Sequence, residues 1–172
     1  MNDLNKNKLP EIYLSSTCFD ETNLCKLCEN LIELQIEKIE LSGNIRYTPQ
    51  DNLIEIIDRF KNRIDFNIHN YFPATKVPFV LNLAHPETVH MSIKHCMRAI
   101  DLCAYLGKSF YSLHAGVSFN PNPNDLGHDQ NHLPSIDIDE SRKILFNAAK
   151  KIAKYGKEKN VTLLLENNVV TK

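Results

Sequence analysis

The chain has 172 residues, with 20 Lys plus Arg against 21 Asp plus Glu and a formal net charge of −1. Apolar residues make up 42% and charged residues 24%, which excludes a disordered charged tail, a collagen-like repeat and a disulfide-dense secreted module. Near-zero net charge supplies no electrostatic reason to expect nucleic acid or an anionic membrane as partner.

The start, Met1 to Lys8, is polar and lacks the apolar stretch of a secretory signal, and no run approaches the roughly 18 apolar residues of a membrane span. Residues 1–10 are expected to be a disordered tail and residues 11–172 a single domain. Four of the five cysteines fall on helical patterns as Cys25/Cys28 and Cys96/Cys103. Cys25 and Cys28 lie on an apolar stripe, which favours packing over a redox or zinc pair. A cytoplasmic protein with reduced thiols is the expectation.

Apolar segments of two periods alternate along the chain. Strand-like runs occupy Ile12–Ser16, Lys38–Ser42, Asp65–His69, Phe110–His114 and Val161–Glu166. The first intervening helix carries Leu24, Leu27, Cys28, Leu31 and Leu34 on one stripe. The second carries Leu53, Ile56, Ile57 and Phe60, with Thr48 as its expected cap and Pro49 as its first helical residue. The third presents Val89, Ile93, Cys96, Met97, Ile100, Cys103 and Ala104 and should stop at Gly107, with His90 and His95 off the stripe and solvated. The fourth runs from about Asp139 to Tyr155 and should stop at Gly156, because glycine accepts positive φ without strain. Its Lys150, Lys151 and Lys154, with Lys157 and Lys159 beyond, read as a solvated face.

Strand–helix alternation implies parallel strands joined by crossovers. Two longer connections interrupt the rhythm: Asn70–Pro78 with the following Phe79–Leu83 segment, and Val117–Asp137, which is rich in Asn, Pro, Asp and His. Loops of that length serve as lids or binding loops, or are disordered; His128 and His132 within the second read as exposed. About five βα units are present, so the chain is either an open sheet or the first five-eighths of a (β/α)8 barrel.

Three strands end alike. His69, with Asn67, closes the third on one face; His114, with Ser112, closes the fourth; Glu166, with Thr162 and Leu164, closes the fifth. Parallel strands put their carboxyl ends on one side with neighbours about 4.8 Å apart, so these three groups should converge. Two imidazoles and a carboxylate make an open ligand set for Zn²⁺ that leaves room for water or substrate. Glu40 and Ser42 share the inward face of the second strand, and His85 starts the third helix at the rim.

The run His69-Asn-Tyr-Phe-Pro-Ala-Thr-Lys-Val-Pro-Phe-Val-Leu-Asn-Leu-Ala-His-Pro-Glu87 resembles the third-strand region of the xylose-isomerase-like TIM-barrel superfamily. Phe110-Tyr-Ser-Leu-His-Ala-Gly116 is similar to its fourth strand and Leu163-Leu-Leu-Glu-Asn167 to its fifth. The resemblance implies an α/β fold of (β/α)8 TIM-barrel type, incomplete here. It implies a divalent metal ion (Zn, Mn or Mg) as cofactor. Glu166 matches a glutamate that binds metal in both the sugar isomerase/epimerase and the apurinic-site endonuclease branches. His69 and His114 match zinc-binding histidines of the endonuclease branch, at positions that more often contact substrate in the isomerases. The family's remaining Asp, His and Glu ligands, from strands six to eight, have no counterpart, so the chain is expected to hold half a metal site and to be inactive alone.

The leading expectation is a metal-dependent sugar or sugar-phosphate isomerase or epimerase. Glu166 would be the catalytic carboxylate, His69, His114 and Glu166 the metal ligands, and Glu40, Asn67 and His85 the substrate contacts. The partner would be a small-molecule sugar or sugar phosphate, with no membrane, and with an oligomer compatible. The alternatives are a zinc-dependent apurinic-site endonuclease, opposed by the lack of Arg and Lys near the strand ends, and a non-catalytic fragment.

Overall fold

In a computed structural model, residues 11–125, 128–130 and 132–166 are described. The expected tail at 1–10 and Asn167 lie outside them. The strands are β1 (Leu14–Ser15), β2 (Lys38–Leu41), β3 (Asp65–Ile68), β4 (Phe110–His114) and β5 (Thr162–Glu166). The helices are α1 (Leu24–Glu33), α2 (Gln50–Phe60), α3 (Val89–Tyr105) and α4 (Ile138–Glu158). The strand pairings are parallel, β1 with β2, β2 with β3, and β4 with β5, while an isolated antiparallel bridge joins Phe119 and Ser135 in the loop after β4. A single parallel bridge between His69 and Ser112 joins the two ribbons, so the five strands lie side by side in chain order.

Alternation along the strands separates two faces. Ile39, Leu41, Phe66, Ile68, Tyr111 and Leu113 point to the helices and are buried, packed with Leu24, Leu27, Leu31, Ile57, Cys96, Ile100 and Ile152. The opposite face carries Glu40 beside Asn67, Ser112 beside Leu164 and His114 beside Glu166, as the register dictates. All five cysteines are free thiols, Cys28, Cys96 and Cys103 buried among apolar side chains that push each of them up to about 12. Cys25 is half-buried, packed against the edge of this core as the stripe predicts, with Glu29 and Arg59 beside its thiol.

Several ends differ from expectation, each for a local reason. β1 is two residues long because Ser16 leaves the ladder: its hydroxyl accepts from Ser42 N at 2.9 Å and donates to Asn44 Oδ1 at 2.6 Å. Leu34 is the C-terminal cap of α1 and 61% exposed, beyond the buried stripe. Pro49, not Thr48, caps α2, and the Thr48 hydroxyl turns back toward Arg46 O at 3.5 Å. Asn23 and Asp137 are working caps, accepting from Lys26 N and from Asp139 and Glu140 N. Gly107, at φ 68°, ends α3 as expected.

Gly156 has a different task from the one its position suggested. It sits inside α4, buried, and the chain turns instead at Asn160, φ 59°. A Cβ on Gly156 would lie 2.4 Å from Val161 O, so glycine there lets the return into β5 pass against the helix. Gly156→Ala should cost about 1–3 kcal/mol, read as a lower urea midpoint with an unchanged slope.

At the amino end of the strands Asp65 receives Tyr13 Oη at 2.5 Å and the Lys108 ammonium. Burial alone raises the Asp65 carboxyl, but the Lys108 and Tyr13 hydrogen bonds and the nearby positive charges outweigh it and hold it below the ordinary range. A carboxylate depressed in the folded state stabilises above its unfolded pKa, near 4, and that contribution fades as pH falls through the lower folded value. With Asp65 partly exposed, Asp65→Asn should remove about 1 kcal/mol or less at pH 7, and the difference from wild type should vanish near pH 2 in chemical denaturation.

Candidate metal centre

Three consecutive strand ends deliver the site. His69 directly follows β3, where its backbone N–H donates to Leu41 O at 3.0 Å and it bridges Ser112. His114 and Glu166 are paired terminal residues of β4 and β5. His69 Nδ1 lies 3.7 Å from Glu166 Oε1, and His114 Nε2 lies 3.8 Å from Glu166 Oε2. The two rings meet edge to face, centroids 5.5 Å apart at 76°. Side-chain exposure rises from 18% at His69 through 36% at His114 to 45% at Glu166, so the group opens toward the β5 side.

The donor set suits a divalent cation. One ligand atom from each residue falls within 4.8 Å of the others; metal–ligand bonds of about 2.0–2.1 Å at the tetrahedral angle would place such atoms ~3.4 Å apart. Small side-chain rotations, freest at the exposed Glu166, would cover that difference. Burial lowers the His114 pKa and the neighbouring His69 lowers it further, against the pull of Glu166, so the imidazole is neutral and has a free lone pair at neutral pH.

The remaining expected site residues divide. Asn67, buried, donates to Glu40 Oε2 at 3.4 Å, and both face inward below His69 by register. Asn67 Oδ1 is buried without a protein partner. Ser42, two residues after Glu40, is buried, and its backbone N–H donates to Ser16 Oγ at 2.9 Å. His85 is also buried, but its described contacts are those of a local turn: Nδ1 accepts from Glu87 N at 3.4 Å, and its carbonyl accepts from Val89 N at 3.0 Å. It does not join the three-residue group. His128 and His132 are exposed, as expected.

Ser112, placed beside His114 by the strand alternation, and Asn70, which had not stood out in the sequence, also shape the site. Ser112 Oγ is 2.8 Å from His69 Nδ1, the same nitrogen that faces Glu166, whereas Asn70 Nδ2 is 3.3 Å from His114 Nδ1, on the side of the ring away from Glu166. His95, expected to be solvated, is 2% exposed with both ring nitrogens unpartnered. It stacks on Tyr71 at 5.4 Å and 20° and meets Phe79 edge-on at 5.9 Å, because the loop after His69 folds back over α3 and covers it. The helical period places His95 correctly on α3; only the loop decides its burial.

The comparisons agree with this architecture. A family model described as xylose isomerase-like TIM barrel matches residues 30–168, and the chain belongs to that family. No curated protein matches. Among solved structures, the TTHB071 protein from Thermus thermophilus, soaked with ZnCl2, is 21% identical with a TM-score of 0.53, covering 91% of this chain and 55% of that one. The 3-keto-D-glucoside 4-epimerase YcjR from E. coli is 12% identical with a TM-score of 0.58, covering 89% and 54%. An L-ribulose 3-epimerase is 17% identical with a TM-score of 0.56, covering 90% and 48%. The chain thus spans about half the length of these structures. At these identities they show the fold: parallel strands and four helices, an incomplete barrel of this family.

Burial lowers the His95 pKa from 6.5 to about 4, and the Arg98 charge adds to the effect. The unfolded chain takes up that proton near its ordinary pKa and the folded chain only near 4, so stability is full above 6.5 and falls as pH drops through the window. The loss approaches ~1.4 kcal/mol per pH unit. His95→Phe, which keeps the stack without the titration, should flatten this segment of a stability-versus-pH curve measured by urea denaturation.

Proposed function

We propose that the chain contributes the His69, His114 and Glu166 portion of a divalent-metal site in a sugar or sugar-phosphate isomerase or epimerase. The convergence of these three side chains at adjacent strand ends is the observation that carries the reading. Its support from relatives is that several solved structures of this fold are sugar epimerases, while others were obtained with zinc or with magnesium. His69 and His114 would hold the ion through imidazole nitrogens and Glu166 through one carboxylate oxygen. When bound, the cation would supply Lewis-acid polarisation of a substrate carbonyl. The second oxygen of Glu166 is the proposed base, accepting and returning a proton at the carbon beside that carbonyl. Glu40 and Asn67 are the proposed partners of substrate hydroxyls, Asn67 Oδ1 being a buried acceptor in want of a donor, with His85 nearer the rim.

A zinc-dependent endonuclease acting on abasic DNA is the second reading, favoured by the two-imidazole donor set. Chelator-sensitive nicking of an abasic duplex would put it first. A cytoplasmic setting is proposed from the five free cysteines, and no described helix is long and apolar enough to cross a membrane.

Isothermal titration of this chain with Zn²⁺, Mn²⁺ and Mg²⁺ at about pH 7.5 should show one bound ion for at least one metal. His69→Ala, His114→Ala and Glu166→Ala should each weaken it at least about 100-fold, beyond the loss typical of residues behind the ligands. Affinity should fall as pH drops, because protons compete for the same lone pairs. Saturable binding that survives all three substitutions would overturn the assignment.

A further inference from the structure

We infer that the open β5 side of the fold is a self-association surface: a second copy of the chain docks there about a two-fold axis and seats its Phe146 in the groove beside Ala153. No part of this depends on a bound metal.

The helical period divides α4 into three faces. Ala148, Ile152 and Gly156 are buried in the core, while Tyr155 and Lys159 turn toward α3, where both meet Asp101. The remaining flank carries Ile138, 54% exposed, Phe146, 68% exposed, Ala149 and Ala153, and it borders the equally exposed Leu165 of β5. Among the described residues no strand pairs with the outer edge of β5. An open groove of about 390 Å³ lies at the start of that strand, with Ala153, Lys157, Val161 and Leu163 in its wall. A large exposed aromatic and an apolar groove on one flank mark a contact surface.

Two edges of the array are open, and their lengths choose between them. β1 has two residues and offers little backbone to pair, whereas β5 presents five. In a two-fold pair β5 runs antiparallel to itself, with Leu164 at the centre. The chain reverses where Val161 N–H donates to Gly156 O. With a rise of about 3.3 Å per strand residue against about 1.5 Å per helical residue, Leu164 stands level with a point about seven residues back along α4, at Ala149. One axis therefore serves both layers. It exchanges the ends of α4, so Phe146 comes over Ala153 of the partner subunit and into its groove, large against small. The acidic start of the helix, Asp137, Asp139 and Glu140, then lies along Lys150, Lys154 and Lys157 of the partner subunit. A parallel pairing would set lysines against lysines. The opposed charge at the two ends of one helix selects a second copy, antiparallel, as the occupant. The same register sets Thr162 of the partner subunit across from Glu166, on the side where the three-residue group opens.

Sedimentation velocity of the full chain across a micromolar concentration range should show a monomer–dimer equilibrium. Phe146→Asp should weaken the dimer about 30-fold or more, the effect of a central interface residue. Asp139→Lys and Lys157→Asp should each weaken it and the double variant should recover it, with the circular dichroism of every variant matching wild type. Ile12→Asp, on the other open edge, should leave the dimer unchanged. A chain that stays monomeric throughout overturns the inference, as does a dimer indifferent to Phe146→Asp. Open-ended oligomers broken by Ile12→Asp also overturn it, in favour of head-to-tail contact through both edges. Should Phe146→Asp fail to fold, the charge exchange decides: a double variant that does not recover the dimer overturns the two-fold arrangement.

Discussion

The joint between β3 and β4 is one bridged pair, His69 with Ser112, and the site depends on it. Three strands form one ribbon and two form another; the backbone of a candidate ligand stitches them together. Because all strand pairings are parallel, carboxyl ends share a side and residues in register share a face. His69, although it lies just past β3, is brought level with β4 by that pairing, and its ring reaches the Glu166 carboxylate two strands away. A one-residue slip at the joint would turn a whole ribbon over and send His114 and Glu166 to the helix side. The surrounding core opposes such a slip, since Tyr111 and Leu113, both fully buried, would then leave the apolar layer.

The two faces of the array have opposite character. Under the helices the packing is dry and apolar, and the order of 1.5–3 kcal/mol per large buried side chain accumulates there. The inner face carries Glu40, Asn67, Ser112, His114 and Glu166, with Leu164 44% exposed among them and Leu165 46% exposed on the free edge of β5. In a closed barrel the interior is filled by layers of side chains from alternate strands. This chain spans about half the length of its structural neighbours, and its inner face has the composition of such an interior near the strand ends: polar groups converging, with only part of a layer supplied. Charged and phenolic groups hold the other end, where Tyr13, Asp65 and Lys108 form their own cluster.

What the sequence made legible was whatever alternation controls. Period two told inside from outside on β3, β4 and β5, and a chemically distinctive side chain stood at or just past the end of each, so the sequence alone was enough to expect His69, His114 and Glu166 together. Long-range packing was not legible in the same way. Gly156 reads as a stop from its local context, yet its role is set by Val161 coming within 2.4 Å of where a Cβ would be. His95 reads as solvated from the helical wheel, yet a loop from another part of the chain covers it. Thr48 satisfies every local criterion for a cap, and the adjacent Pro49 takes the position instead. Asn70 and Asn82 are asparagines in loop-rich segments, where the type is ordinary; only the atoms they meet set them apart.

Asn82 shows how the rim is held by polar contacts in addition to the buried Phe72, Leu81 and Leu83. Fully buried, it accepts from Ala84 N and Val117 N, each at 3.0 Å, and donates to Val117 O at 3.0 Å and Phe119 O at 2.9 Å. Its own backbone is gripped by Ser92 and Thr88 of the α3 entrance. One carboxamide therefore satisfies four backbone groups from two loops, one of them, Ala84 N, fully buried, where an orphaned group costs about 1–3 kcal/mol. The close fit needs Gly116, at φ 121°, since a Cβ there would stand 2.3 Å from Asn82 Oδ1. Gly116 comes two residues after His114, and Asn82 belongs to the segment that begins with His69 and Asn70. The loops leaving β3 and β4 are thus locked to each other, just beyond the strand ends that carry His69 and His114, by polar contacts of fixed direction.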